Sequence, residues 1–99
     1  MLDDSLIALP ELAAIRCRFW DDEGVVYNQL TGETHLVDGM GAEIFKLLST
    51  KKATQAQLLK TLHSVFEFDS GFDTEKLLAN LILEYQKLGL VIVTENNPA

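Results

Sequence analysis

The sequence predicts one α+β domain with its strands first and its helices after. Two patterns and the length carry that reading. Between residues 15 and 37 apolar and polar residues alternate with a period of two, and after Asp38 the apolar spacing changes to threes and fours. Ninety-nine residues are enough for one hydrophobic core and too few for a catalytic domain with a second module. A chain with 47% hydrophobic and 23% charged residues is globular in composition, which excludes wholesale disorder.

Ile15, Cys17 and Phe19 fall on one face of a first strand near 15–20, with Arg16, Arg18 and Trp20 on the other. Asp21 to Gly24 reads as a turn in which Gly24 is free to take a positive φ. A second strand follows near 25–29, then a turn over Leu30 to Glu33, then a third strand over Thr34 to Val37. Connections this short imply an antiparallel meander.

Past Asp38, a candidate N-cap, the residues Met40, Ile44, Leu47 and Leu48 mark an amphipathic helix ending near Ser49. Thr54 and Gln57 have the spacing of a capping box, opening a second helix whose apolar stripe is Leu58, Leu59, Leu62, Val65 and Phe66. A polar connection from Glu67 to Phe72 leads to Asp73, which caps a third helix over 73–88. That helix carries Leu77, Leu78, Leu81, Ile82, Tyr85 and Leu88, with Gly89 as its stop. Leu90 to Val93 reads as a short closing strand. The expected order is βββααα with a final β, a winged-helix-like arrangement of one three-stranded antiparallel sheet packed on three helices. Residues 1–11 are expected to be an N-terminal extension, 12–94 the domain and 95–99 a frayed tail.

Composition narrows the function. Eight Lys and Arg against fifteen Asp and Glu leave a net charge of −7, and the cations are scattered, so neither nucleic acid nor an anionic membrane is an expected partner. No apolar run is long enough to span a bilayer, and the acidic start Met1 to Asp4 is unlike a signal peptide. The single cysteine, Cys17, excludes an intrachain disulfide and fits a reducing, cytoplasmic setting.

Catalytic chemistry has little to stand on. Cys17 reads as a buried structural thiol on the core face, and His35 and His63 lack the spacing of a metal-ligand pair. Asp21-Asp22-Glu23 lacks the register of a calcium loop, and Gly39-Met40-Gly41 lacks the rest of a phosphate-binding loop. No catalytic residue, metal or cofactor is expected. His35, mid-strand beside a turn, reads as a side chain bonded across to that turn. Asn28, Thr31, Gly32, Thr34 and His35 together read as a box that shapes the turn and holds the register of the third strand.

That box, Val25-Val26-Tyr27-Asn28-Gln29-Leu30-Thr31-Gly32-Glu33-Thr34-His35-Leu36-Val37-Asp38, together with the helix Ala42 to Leu48, resembles the PqqD family. It is most similar to the bacterial branch associated with HPr-kinase-like proteins, which is marked by an N-x-x-[ST]-G-x-[ST]-H stretch. The Thr54-initiated helix and the ending Leu81 to Leu90 are similar as well, so the resemblance spans about residues 12–93.

Members of this family are peptide chaperones, or RiPP recognition elements. The resemblance therefore implies a non-catalytic adaptor that binds the leader of a precursor peptide and presents it to a modifying enzyme, such as a radical-SAM protein, or to an HPr-kinase-like protein. It implies a leader that adds as a strand beside Thr34, His35, Leu36 and Val37 and lies against the third helix. The breadth of that helix's apolar arc makes Leu77, Leu81 and Tyr85 the expected groove wall, with Glu84 beside them. The alternative reading is a winged-helix transcriptional or protein-interaction module, which the net charge and the acidic 21–23 turn oppose.

Overall fold

The computed structural model describes residues 5–10, 14–67 and 73–94. The elements are β1 (Leu6–Ala8), β2 (Ile15–Trp20), β3 (Glu23–Asn28), β4 (Thr34–Asp38), α1 (Gly39–Leu48), β5 (Ala53–Thr54), α2 (Gln55–Val65), α3 (Thr74–Lys87) and β6 (Ile92–Thr94). The class is α+β, with two three-stranded antiparallel sheets and three helices.

The first sheet is the expected meander in the order β2-β3-β4, so β2 and β4 are its edges. Its inner face, with Cys17, Phe19, Val26 and Val37, packs on α1. The period-two pattern is legible because only one face is covered. Asp21, not Gly24, takes the positive φ of the β2–β3 turn, at 51°, a conformation a short Asp side chain tolerates. Gly24 instead lies within β3 opposite Phe19, where a Cβ would sit 2.5 Å from the Phe19 ring. The glycine is there to make room for that ring.

The second sheet, in the order β5-β1-β6, corrects the sequence reading. Leu6–Ala8, read as part of an N-terminal extension, is its central strand, and Ile7 and Ala8 are buried in the core. Three residues are too few to show alternation, so the strand has no period to detect. β5 is two residues long and runs into the cap of α2, which hides it in the same way. The closing strand also starts later than expected: Leu90 and Val91 are core residues ahead of β6. The segments 11–13, 68–72 and 95–99, which include most of the polar connection and the frayed tail, lie outside the described residues.

The helix boundaries follow local chemistry. Thr54 accepts from the Gln57 amide at 3.2 Å while the Gln57 side chain accepts from the Thr54 amide at 2.9 Å, closing the capping box. Asp73 Oδ1 accepts from the Lys76 amide at 3.0 Å. Asp38 occupies the N-cap of α1 but makes no side-chain cap bond. α3 ends in a Schellman turn: Gly89 has φ 76°, its amide donates to the Gln86 carbonyl, and the Leu90 amide donates to Tyr85. That turn drops Leu90 into the core. Leu58 and Leu62 of the α2 stripe are buried, whereas Val65 is 52% exposed.

The β3–β4 turn is built by Asn28, Thr31 and Gly32. Asn28 is buried, and its Oδ1 accepts from the amides of Leu30 at 2.9 Å and Thr31 at 3.2 Å. Its own amide donates to the Glu33 carbonyl, and its carbonyl accepts from Gly32, whose φ is 81°. Thr31 Oγ1 accepts from the Glu33 amide. Thr34 and His35, expected in the same network, take no part: they are already in β4.

Asn28→Ala is expected to lower stability by about 1–2 kcal/mol, since it removes two bonds to amides that water can partly replace. Gly32→Val should cost about 1–2 kcal/mol from backbone conformation alone, because a Cβ at this position would meet no atom within 4 Å. Gly32→Asn should cost less. Thermal denaturation measures all three, and an unchanged melting temperature in Gly32→Val would refute the role assigned to the turn.

Candidate functional site

One open groove of about 760 Å³ runs between the free edge of β4 and the flank of α3. Thr34, His35, Leu36, Val37, Leu77, Leu81, Glu84 and Tyr85 all line it, so the structure brings the eight residues expected from the sequence around a single concavity. Asp22, Asp38, Met40, Leu88 and Leu90 also line it, and sequence reasoning does not assign these to the groove. Asp22 reaches the groove because its carbonyl accepts from the Gly39 amide at 3.0 Å, which folds the β2–β3 turn against the start of α1. Lys46 reinforces that join by donating to the Asp21 carbonyl.

The eight residues divide by direction and depth. Along β4 the alternation puts His35 and Val37 on the helix-facing side and Thr34 and Leu36 on the open side, where Leu36 is 70% exposed. The backbone alternates too. Asn28 and Glu33 form the hydrogen-bonded pair that closes the hairpin, so Val26–His35 and Gly24–Val37 are hydrogen-bonded pairs as well. The N–H and C=O groups of Thr34 and Leu36 therefore point to the free edge.

On α3, Leu78 and Ile82 are core, Leu77 and Leu81 are half-buried along the groove, and Glu84 is exposed at its rim. Leu88 is 40% exposed at the far end. Tyr85 differs from the expected groove wall. It is buried, with its ring edge-on to Phe45 at a centroid distance of 4.9 Å. Its hydroxyl lies over Gly41, where any Cβ would collide with it. The fully buried Phe45, the partner that fixes Tyr85, is absent from the helix stripe read from the sequence. Its position beside Ile44 is the available signal.

Charge in the groove has one sign: Asp22, Asp38 and Glu84 line it and no Lys or Arg does. Burial, then the nearby carboxylates of Glu84 and Asp38, push the Tyr85 phenol up to about 12, so at neutral pH it is a protonated donor. His35 corrects its sequence reading. Its Nε2 is buried and has no hydrogen-bond partner among the described residues, and the turn amides of Leu30 and Thr31 donate to Asn28 Oδ1 instead.

Cys17 is a free, half-buried thiol on the inner face of β2; burial raises its pKa, with a Ser49 hydrogen bond partly opposing that rise. It lies outside the groove lining. Among the described residues no three His, Cys, Asp or Glu side chains converge as metal ligands, and no helix is long and apolar enough to cross a membrane.

Comparison of the chain with known protein families, curated proteins and solved structures produced no match.

The raised Tyr85 pKa makes a linkage prediction. Between an unfolded value of 10 and a folded value of about 12, the unfolded chain loses a proton that the folded chain keeps. Stability is thus full below pH 10 and falls as pH rises toward 12, by on the order of 2–3 kcal/mol. Tyr27→Phe leaves Tyr85 as the single phenol of two. In that variant, absorbance near the phenolate band should titrate well above the midpoint seen in denaturant. Coincident midpoints would contradict the burial argument.

Proposed function

We propose that this protein is a non-catalytic peptide-binding adaptor of PqqD type. In this reading an extended peptide adds to the edge of β4 and sets alternate side chains against α3. The observation that carries it is the coincidence of a free strand edge with the groove: the unpaired backbone groups of Thr34 and Leu36 border a concavity walled by Leu77 and Leu81.

Strand addition supplies affinity through main-chain bonds, which are alike for every peptide, so selection falls to the side-chain positions. Peptide residues beside His35 and Val37 would face the leucines and favour apolar types. Asp22, Asp38 and Glu84 would favour basic residues nearby, an attraction that salt weakens. A precursor leader has this extended, accessible character. The adaptor would hold the leader in the cytoplasm while a modifying enzyme, such as a radical-SAM or HPr-kinase-like protein, acts on the remainder of the peptide.

Selection from a displayed random peptide library tests the reading. Enriched sequences should be basic with apolar residues at alternate positions. Amide shifts on adding a selected peptide should cluster on 34–38 and 77–88. Leu81→Asp, at a half-buried position, should weaken binding at least tenfold, about 1.4 kcal/mol, with the fold retained. Shifts confined to α2 would place binding elsewhere and sink the proposal.

A further inference from the structure

The face of the β2-β3-β4 sheet turned away from α1 carries a charge pattern that matches itself. Strand register arranges its outward residues in three rows of three: Arg16–Tyr27–Thr34, then Arg18–Val25–Leu36, then Trp20–Glu23–Asp38. All but the half-buried Val25 are exposed, among them Trp20 at 45%, Tyr27 at 38% and Leu36 at 70%. Large apolar side chains exposed together on one sheet face mark a contact surface. The face holds two cations and two anions and is neutral, on a chain whose net charge is −7. It is therefore a region where two copies can approach with little of the repulsion that acts elsewhere.

Within the chain, the ion pair formed among the described residues is Lys46–Glu43, so these four charged groups are not paired with each other. The cations stand on β2 and the anions at the opposite end of β3 and β4.

We infer that this open face is a homodimer interface in which two copies stack sheet on sheet with their strands crossing near a right angle. Orthogonal stacking is one of the two common ways sheets pack. A two-fold axis along the diagonal from Trp20 through Val25 to Thr34 exchanges rows for columns. It sets Arg16 against Asp38 of the second copy, Arg18 against Glu23, and Tyr27 against Leu36, and each contact occurs twice. Trp20 meets its own counterpart. The other three in-plane two-fold axes do worse: one across the strands opposes Arg18 to Arg18, one along them opposes Arg18 to Leu36, and the second diagonal opposes Arg16 to Arg16 and Asp38 to Asp38. Nine side chains per copy cover less than the roughly 800 Å² per partner of a standard interface, so the dimer is weak, with dissociation in the micromolar-to-millimolar range. The backbone edges of β2 and β4 lie outside the stacked face, and the observations behind the dimer are independent of peptide binding, although Thr34, Leu36 and Asp38 also line the groove.

Sedimentation of the full chain over a concentration series up to about 1 mM should show a monomer–dimer equilibrium that weakens with salt. Emission of the single tryptophan, Trp20, should shift to the blue as the dimer forms. Arg18→Glu should raise the dissociation constant at least tenfold, and Arg18→Glu with Glu23→Arg should restore it. Both positions are exposed, and circular dichroism confirms that the variants fold. A monomer throughout the series overturns the inference. So does a dimer that is indifferent to Arg18→Glu, or one that the double exchange fails to rescue.

Discussion

The contact between Phe45 and Tyr85 sets the geometry on which the groove depends. Phe45 is fully buried at the centre of α1, and Tyr85 reaches it edge-on from α3. The approach is possible because Gly41, one turn earlier on α1, has no Cβ to displace the tyrosine hydroxyl. α1 follows β4 directly, so fixing α3 to α1 also fixes α3 relative to the edge of β4. The width of the groove is thus decided in the core, by an aromatic pair and a missing methyl group. The Schellman turn at Gly89 completes the arrangement by returning the chain through Leu90 to the floor of the same groove.

Depth and chemistry within the groove follow from the two periodicities meeting there. A strand shows alternate residues to each side, so β4 contributes only His35 and Val37 to the helix-facing side and keeps Leu36 outside. A helix shows a stripe, so α3 can bury Leu78, Ile82 and Tyr85 and still leave Leu77 and Leu81 half-covered. The apolar arc is wider than the core needs, and the surplus forms the wall. The acidic lining has a separate origin in the connections, with Asp22 brought in by the fold of a turn and Asp38 standing at a helix start.

Features with a local cause can be read from the sequence. The capping box at Thr54, the cap at Asp73, the stop at Gly89 and the turn centred on Asn28 and Gly32 each depend on residues within a few positions of one another, and each is where the sequence places it. The helix-facing and open sides of β2 to β4 are legible because only one side is packed. Features decided at long range are not. The strand at Leu6–Ala8 exists because Ala53–Thr54 and Ile92–Thr94 flank it, and nothing within its three residues announces that. Likewise the helical spacing identifies Tyr85 as an apolar position of α3 but cannot show that it turns inward, because Phe45 and Gly41 lie far away in the chain. His35 shows the limit on the polar side: its residue type suggests a bond to the turn, but Asn28 already accepts from the turn amides and the buried Nε2 is left without a partner among the described residues.

The placement of β1 has a consequence for the order of folding. The meander and α1 join neighbours in sequence and can form as soon as they are synthesised, since loop closure between them is short. β1 pairs Leu6 with Thr94, which lie at opposite ends of the described chain. During synthesis β1 must therefore wait for β6 before it is flanked on both sides, with Ile7 and Ala8 incompletely covered in the interval. The early half of the molecule can then hold a groove edge before the later half supplies the helix that walls it.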